Sequence, residues 1–385
     1  MRKIVETPYY SKRIGRLPKG CSICVKGGKL VLLATGVCSS SCWYCPLSER
    51  KRGRDVVVAN EWWVRRDKDV LEEARLCDSL GAGITGGDPL CRLDRTLHYI
   101  RLLKKNFGEG FHIHLYTTCR HATQKNLERL YKAGLDEIRF HPDFIEGGNA
   151  DLGAARNALE YGWDVGCEIP AIPGRVRETK SFIHAIDELG VKFLNINQLE
   201  VSETNALPLE KRGYFAESDV SFAVKGSEKA AGKILDYCLR NTRLGVHYCT
   251  VRLKDGVQLK NRLKRRAGNV SREYDIVTDD GLLIRGAVYL EETMPSFDYA
   301  KKLDRISVGG KARIKRRLES VRRRLMRDYG VDGALIEVDA ERLRILTGAW
   351  IAEELAGKIR EMGLKPAVVE EYPTWDALIT ELTPL

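Results

Sequence analysis

Three cysteines, Cys38, Cys42 and Cys45, stand at the spacing C-x3-C-x2-C, with Pro46 directly behind them. Thiolates bind zinc or iron–sulfur clusters, and three on one short loop can reach a single cluster. A four-coordinate zinc site would need one more ligand. A second way of pairing the thiols exists. Cys21-x2-Cys24, seventeen residues, then Cys42-x2-Cys45 has the spacing of a zinc ribbon, with Cys38 left over. The run before the motif, Leu30-Val31-Leu32-Leu33-Ala34-Thr35-Gly36-Val37, is apolar and β-branched in places, and reads as a buried strand. The cysteines therefore lie on the loop that leaves the C-terminal end of a first strand.

A C-x3-C-x2-C loop behind a first strand, with an aromatic residue before the last cysteine, resembles the radical SAM enzymes. The resemblance implies that Cys38, Cys42 and Cys45 hold three irons of a [4Fe-4S] cluster. The fourth iron is then open to the amino and carboxylate groups of S-adenosylmethionine (SAM), and Tyr44 lies against the adenine. Gly86-Gly87-Asp88-Pro89 closes a short second strand, Ala82–Thr85. It resembles the family's Gly-Gly-Glu-Pro segment, whose backbone receives the SAM amino group, with Asp in place of Glu. One electron from a ferredoxin- or flavodoxin-like donor would cleave SAM, and the resulting 5′-deoxyadenosyl radical would take a hydrogen from the substrate. The chain looks most like the archaeal group related to pyruvate formate-lyase activating enzymes. It departs from the short activating enzymes in its C-terminal third.

The elements that must position these residues follow in alternation. Helical spacing over 68–80, 96–107, 122–133, 152–161 and 178–189 separates strands at 111–118, 137–141, 165–170 and 192–198. Gly108, Gly134, Gly162 and Gly190 follow four of the helices, as C-cap chemistry expects. With the strands at 30–37 and 82–85 the count is six, so the expected fold is α/β, an open (β/α)6 partial barrel, as in the family. Ligands gather at the C-terminal strand ends of such barrels. The polar residues there are Thr117, Thr118, Arg139, His141, Glu168, Asn195, Asn197 and Glu200. Of these, Thr117, Thr118, Glu168 and Asn197 join Tyr44 and Gly86–Pro89 as the expected SAM contacts. His141 reads as structural or substrate-binding rather than as a proton carrier.

The remaining chain is organised by charge. Residues 1–250 carry 38 basic and 31 acidic side chains, residues 251–328 carry 21 and 11, and residues 329–385 carry 5 and 11. The expected division is an N-terminal lead-in (1–29), the partial barrel (30–250), a basic α+β extension (251–328) and a small acidic α/β module (329–385). In the extension, Asp279-Asp280-Gly281 reads as a hairpin turn. Ile314, Leu318, Val321 and Leu325 mark one apolar face of a helix otherwise lined with arginines. Such a surface attracts phosphate backbones, so an RNA base in tRNA or rRNA is the first substrate expectation. A protein or small metabolite is the alternative, and a non-catalytic zinc-ribbon RNA-binding protein the reading from outside enzymology. Cys21 and Cys24 suggest a second metal site, zinc or an auxiliary cluster, with Cys249 a third ligand if the end of the barrel returns near its start. The first residues have no apolar signal segment, and no run approaches membrane-helix length, so the expected setting is a reducing cytoplasm with no membrane partner.

Overall fold

The structure is a computed structural model and describes residues 2–145, 152–296 and 299–385. The chain divides into two compact units, residues 1–262 and 263–385.

The first unit opens with a hairpin, β1 (Ile4–Glu6) and β2 (Lys12–Ile14), and a helix, Lys19–Val25. β3 (Lys29–Thr35) follows. A short excursion, β4 (Val58–Ala59) and β5 (Trp62–Trp63), precedes β6 (Gly81–Gly86), β7 (His112–Thr117), β8 (Glu137–Phe140), β9 (Asp164–Ala171) and β10 (Phe193–Gln198). A separate hairpin, β11 (Ala216–Ser218) and β12 (Ser221–Val224), and then the helix Ser227–Asn241 lead to β13 (Gly245–Cys249). The sheet runs β1-β2-β13-β10-β9-β8-β7-β6-β3-β4-β5 and stays open, since β3 and β13 do not pair. Its centre is the six-stranded parallel partial barrel that the alternation predicts, β3 and β6 to β10. β13 adds a seventh parallel strand beside β10. That strand was hidden in a polar stretch, because only Val246 and Tyr248 turn to the apolar side while His247 and Cys249 alternate with them.

The same alternation explains the barrel interior. Ile113, Leu115 and Ile138 are fully buried in the apolar core behind the sheet. Their neighbours His112, His114, Tyr116, Glu137 and Arg139 turn to the other face and make a polar lumen. Gly108, Gly134 and Gly190 take left-handed φ after their helices; Gly162 does not, because its helix, Gly153–Ala158, ends earlier.

The second unit is one antiparallel sheet with a long helix. β14 (Ile276–Val277) pairs β15 (Leu283–Tyr289) across the expected Asp-Asp-Gly turn, where Gly281 has φ +82°. β16 (Ile336–Asp339), β17 (Arg344–Thr347), β18 (Lys365–Glu371) and β19 (Ile379–Pro384) complete the order β16-β17-β15-β18-β19. β15 comes from the basic segment and pairs β17 and β18 of the acidic segment, so the two charge blocks share one sheet. The helix Val308–Tyr329 buries Ile314, Leu318 and Leu325, as its spacing predicts.

Candidate active site

The cysteine loop leaves β3 through Gly36. A Cβ there would lie 1.7 Å from the Lys51 carbonyl oxygen, so only glycine lets the loop fold back this closely. Cys38, Cys42 and Cys45 are free, partly exposed thiols that line one cavity of about 810 Å³. The Ser40 N–H donates to Cys38 Sγ at 3.3 Å. Burial pushes the Cys38 and Cys42 thiols up, so binding a metal must release their protons.

The loop is clamped from a segment that sequence reasoning passed over. Asn205 Nδ2 donates to the Tyr44 carbonyl at 3.0 Å, and Thr204 Oγ1 to the Cys45 carbonyl at 3.3 Å. Trp43 stacks on Tyr214 with ring centroids 5.5 Å apart. The clamp residues lie in a polar connector with no local pattern to mark them. Tyr44 is nearly buried, and its hydroxyl is 2.8 Å from His141 Nε2. His141 Nδ1 is 2.7 Å from the Glu168 carbonyl oxygen, which can only accept. The proton is therefore assigned to Nδ1, and Nε2 accepts from Tyr44. Burial lowers the His141 pKa and keeps this neutral form. His141 thus positions Tyr44, a structural task of the kind expected for it.

Gly86-Gly87-Asp88-Pro89 closes β6 where it meets the cysteine loop. A Cβ on Gly87 would stand 2.4 Å from the Val37 carbonyl oxygen, and one on Gly86 2.2 Å from that of Thr35. The Gly87 and Asp88 N–H groups donate to Thr35 and Val37, both at 2.8 Å. Asp88 is fully buried. Its carboxylate accepts from Leu90 N–H, from both hydroxyls of Thr117 and Thr118, and from the Thr118 N–H. Of the expected SAM contacts, Tyr44, Gly87, Thr117, Thr118, Glu168 and Asn197 line the cavity; Gly86, Asp88 and Pro89 do not, and Asp88 braces the wall through Thr117 and Thr118.

Deeper in the lumen, Glu168 accepts from Arg139 Nη1 at 2.8 Å and from Asn195 and Asn197 Nδ2, each at 2.9 Å. Burial alone would raise its pKa, but Arg139 and the two amides hold it down at about 2. Arg139 also bonds Glu137 Oε1 at 2.6 Å. Lys254 pairs with Glu200 at 3.0 Å. Cys21, Cys24 and Cys249 line the same cavity.

Among the described residues, no three His, Cys, Asp or Glu side chains meet where one metal ion could hold them all. The zinc-ribbon pairing is therefore not the arrangement found, and Cys21 and Cys24 lie within the helix Lys19–Val25. Sulfur ligands of one zinc sit about 3.8 Å apart, given bonds of about 2.3 Å and tetrahedral angles. Cluster ligands each take a different iron and need no such convergence. Three free thiols on one cavity wall, with no disulfide between them, fit a cluster.

An open parallel barrel carrying three free cysteines on the loop after its first strand is the arrangement that the resemblance to the radical SAM enzymes implies. Residues 32–146 match the Radical SAM superfamily, and residues 281–385 match a domain of unknown function (DUF8061). The chain is 39% identical over 385 residues to a protein of Methanocaldococcus jannaschii provisionally named a glycyl-radical enzyme activating enzyme. That match covers 98% of this chain and 95% of the relative. A PqqA peptide cyclase of Methylobacterium nodulans is 32% identical over 124 residues, covering 31% of this chain and 30% of that protein. The Streptococcus suis SuiB structure with its precursor peptide SuiA is 14% identical, with a TM-score of 0.43, covering 58% of this chain and 48% of that one. The chain belongs to the radical SAM superfamily. It is an enzyme of that class, and membership implies a [4Fe-4S] cluster and SAM as cofactors. No helix among the described residues is long and apolar enough to cross a membrane.

Proposed function

We propose that this radical SAM enzyme modifies a polypeptide, with Cys38, Cys42 and Cys45 holding its cluster. The observation that carries the substrate class is the 39% identity to the archaeal relative, which spans both units of the chain and whose provisional name describes the activation of another enzyme. An apolar surface adds support. The hairpin β11–β12 follows the clamp residues Thr204 and Asn205 and exposes Phe215, Val220 and Phe222, with Val220 95% exposed. Apolar edges of this kind suit a peptide chain better than a phosphate backbone.

A cluster held by Cys38, Cys42 and Cys45 would pass one electron from an external reductant to SAM, the chemistry that would generate a 5′-deoxyadenosyl radical. The chain's own residues bind and orient. Asn205 and Thr204 fix the cysteine loop by its carbonyls. His141 holds the Tyr44 hydroxyl at the cavity wall and donates to the β9 backbone. Asp88 locks the end of β6 to Thr117 and Thr118, so that Gly87 and both threonines present a fixed wall to SAM. Glu168, Asn197 and Arg139 offer paired charge and amide groups for the polar atoms of SAM or substrate.

RNA remains a second reading, favoured by one observation. Arg313, Arg316 and Arg323 stand exposed on the helix Val308–Tyr329, whereas Arg317, Arg324 and Arg327 have acidic partners at 3.7, 3.4 and 2.7 Å. One experiment separates the readings. Reconstituted enzyme, SAM and dithionite are incubated anaerobically with either the protein or the RNA fraction of cells grown on deuterated medium. Deuterium appearing in 5′-deoxyadenosine only with the protein fraction is the expected result. Label arriving only from RNA would reverse the assignment. Label from neither, with steady 5′-deoxyadenosine formation, would point to a small metabolite.

A further inference from the structure

We infer that Cys21, Cys24 and Cys249 hold a second iron–sulfur cluster in the barrel lumen. The inference does not rest on the polypeptide reading. It starts from three thiols on the wall of one cavity. The helix Lys19–Val25 carries Cys21 and Cys24 at i and i+3, hence on one face. Cys249 ends β13, more than two hundred residues later, and all three thiols line the cavity. Cys21 accepts from Asn195 Nδ2 at 3.2 Å, and Asn195 lies beside His247 across the β10–β13 pair, two residues before Cys249.

These thiols differ from the chain's structural cysteines. Cys167 and Cys238 are fully buried among apolar side chains of the core. Cys21, Cys24 and Cys249 instead share their wall with Lys29, Arg139 and Lys254. Arg139 and Lys254 have carboxylate partners. Among the described residues no carboxylate pairs with Lys29, whose amine stands 5.9 Å from the centre of the Tyr116 ring. A lysine held in a lumen with no carboxylate in direct contact, and with thiols on the same wall, suits added negative charge there. Buried polar atoms on that wall also lack partners: Asn195 Oδ1 and His247 Nδ1 make no hydrogen bond, although both residues are at most 2% exposed. Three thiolates are soft donors that select iron–sulfur or zinc chemistry. Among the described residues no three side chains converge as one zinc would require, whereas a cluster takes one thiolate per iron and needs no such convergence. Lys29 would balance its net charge, and an N–H at the unpartnered His247 Nδ1 would have a sulfur acceptor.

The test is anaerobic reconstitution with ferrous iron and sulfide, read by iron and sulfide analysis and by EPR of the reduced protein. Wild type is expected to hold about eight irons per chain, as two [4Fe-4S] clusters require. The Cys38→Ala/Cys42→Ala/Cys45→Ala variant should keep about half of that iron, with a signal that SAM leaves unchanged. The Cys21→Ala/Cys24→Ala variant should lose the other half and keep the SAM-responsive signal, and Cys249→Ala should weaken the same half. Circular dichroism confirms that each variant is folded, and Cys21→Ser/Cys24→Ser repeats the loss with smaller change in packing. Two outcomes overturn the inference: zinc without sulfide in the triple variant, or wild-type iron content in Cys21→Ala/Cys24→Ala. Failure of the first site reads differently, as wild-type iron that ignores SAM.

Discussion

Glu168 collects three donors from three positions on two strands, and its substitution tests the lumen at the level of one side chain. Glu168→Gln removes a partly buried negative charge and leaves the buried Arg139 with Glu137 alone. Breaking a buried pair by removing one partner costs about 3 kcal/mol, which urea unfolding at pH 7 would read as a lower midpoint with an unchanged slope. The sign with pH follows from the lowered pKa. A carboxylate held at about 2 in the fold, against an ordinary 4.5, contributes its stability above pH 4.5. That contribution is lost as the pH falls from 4.5 towards 2. The wild-type and Glu168→Gln stabilities should therefore converge in acid; a constant gap would refute the charge account. Tyr44→Phe makes the complementary test. No thiol is touched, so iron content stays. The His141 contact is lost, and SAM affinity should fall about fivefold for one hydrogen bond of about 1 kcal/mol, measured by titrating SAM against the cluster's EPR signal. The sequence made the three cysteines and Tyr44 legible, because spacing and neighbouring residue types carry them. It could not make legible that Asp88 braces the wall from behind, because that depends on Thr117 and Thr118 arriving from the next strand.

At the scale of elements, the site is where the C-terminal ends of the parallel neighbours β3 and β6 lie side by side. Glycine there is a steric requirement. Gly87→Ala would put a methyl carbon 2.4 Å from the Val37 carbonyl oxygen, a backbone atom that can yield only if the cysteine loop moves. The expected result is a folded protein with a cluster that loads poorly and bleaches quickly in air, followed by visible absorbance. Normal loading would show that the loop tolerates displacement. Asn205→Ala tests the clamp from the other side. It should raise the rate of cluster loss to a chelator by several-fold and leave secondary structure unchanged. Strands with continuous apolar runs were readable one by one, and so were helices with glycine stops. β13 was not, because a strand with a polar lumen face offers only two apolar residues to the pattern. The 204–214 clamp was not readable either, since its role lies wholly in tertiary hydrogen bonds to the backbone of a distant loop.

At the scale of the molecule, charge gave a misleading map of organisation. The basic and acidic blocks are distinct in sequence, yet β15 of one lies between β17 and β18 of the other. The sheet that joins them encloses an ionic network. Arg285 bonds Asp275 and Glu371, and Arg344 bonds Glu371 at 2.7 and 2.9 Å and Asp339 at 3.1 Å. Arg344 and Glu371 are fully buried. Sequence reading counted these residues only in the charge totals of their blocks, because pairing across strands is invisible until register is known. Their burial makes a sharp prediction. Glu371→Gln removes the carboxylate that two buried guanidinium groups share, leaving Arg285 with Asp275 and Arg344 with Asp339, and should cost about 3 kcal/mol within this unit. Hydrogen exchange is the measurement, since amide protection in β15, β17 and β18 would fall by about a hundredfold if opening becomes that much easier. Every residue lining the large cavity lies within residues 1–262. SAM cleavage without substrate should therefore persist in Glu371→Gln under conditions where the variant stays folded. Unchanged protection would mean that desolvation cancels the network's attraction, and that the sheet is held by its apolar cluster of Tyr289, Leu346 and Val369 alone.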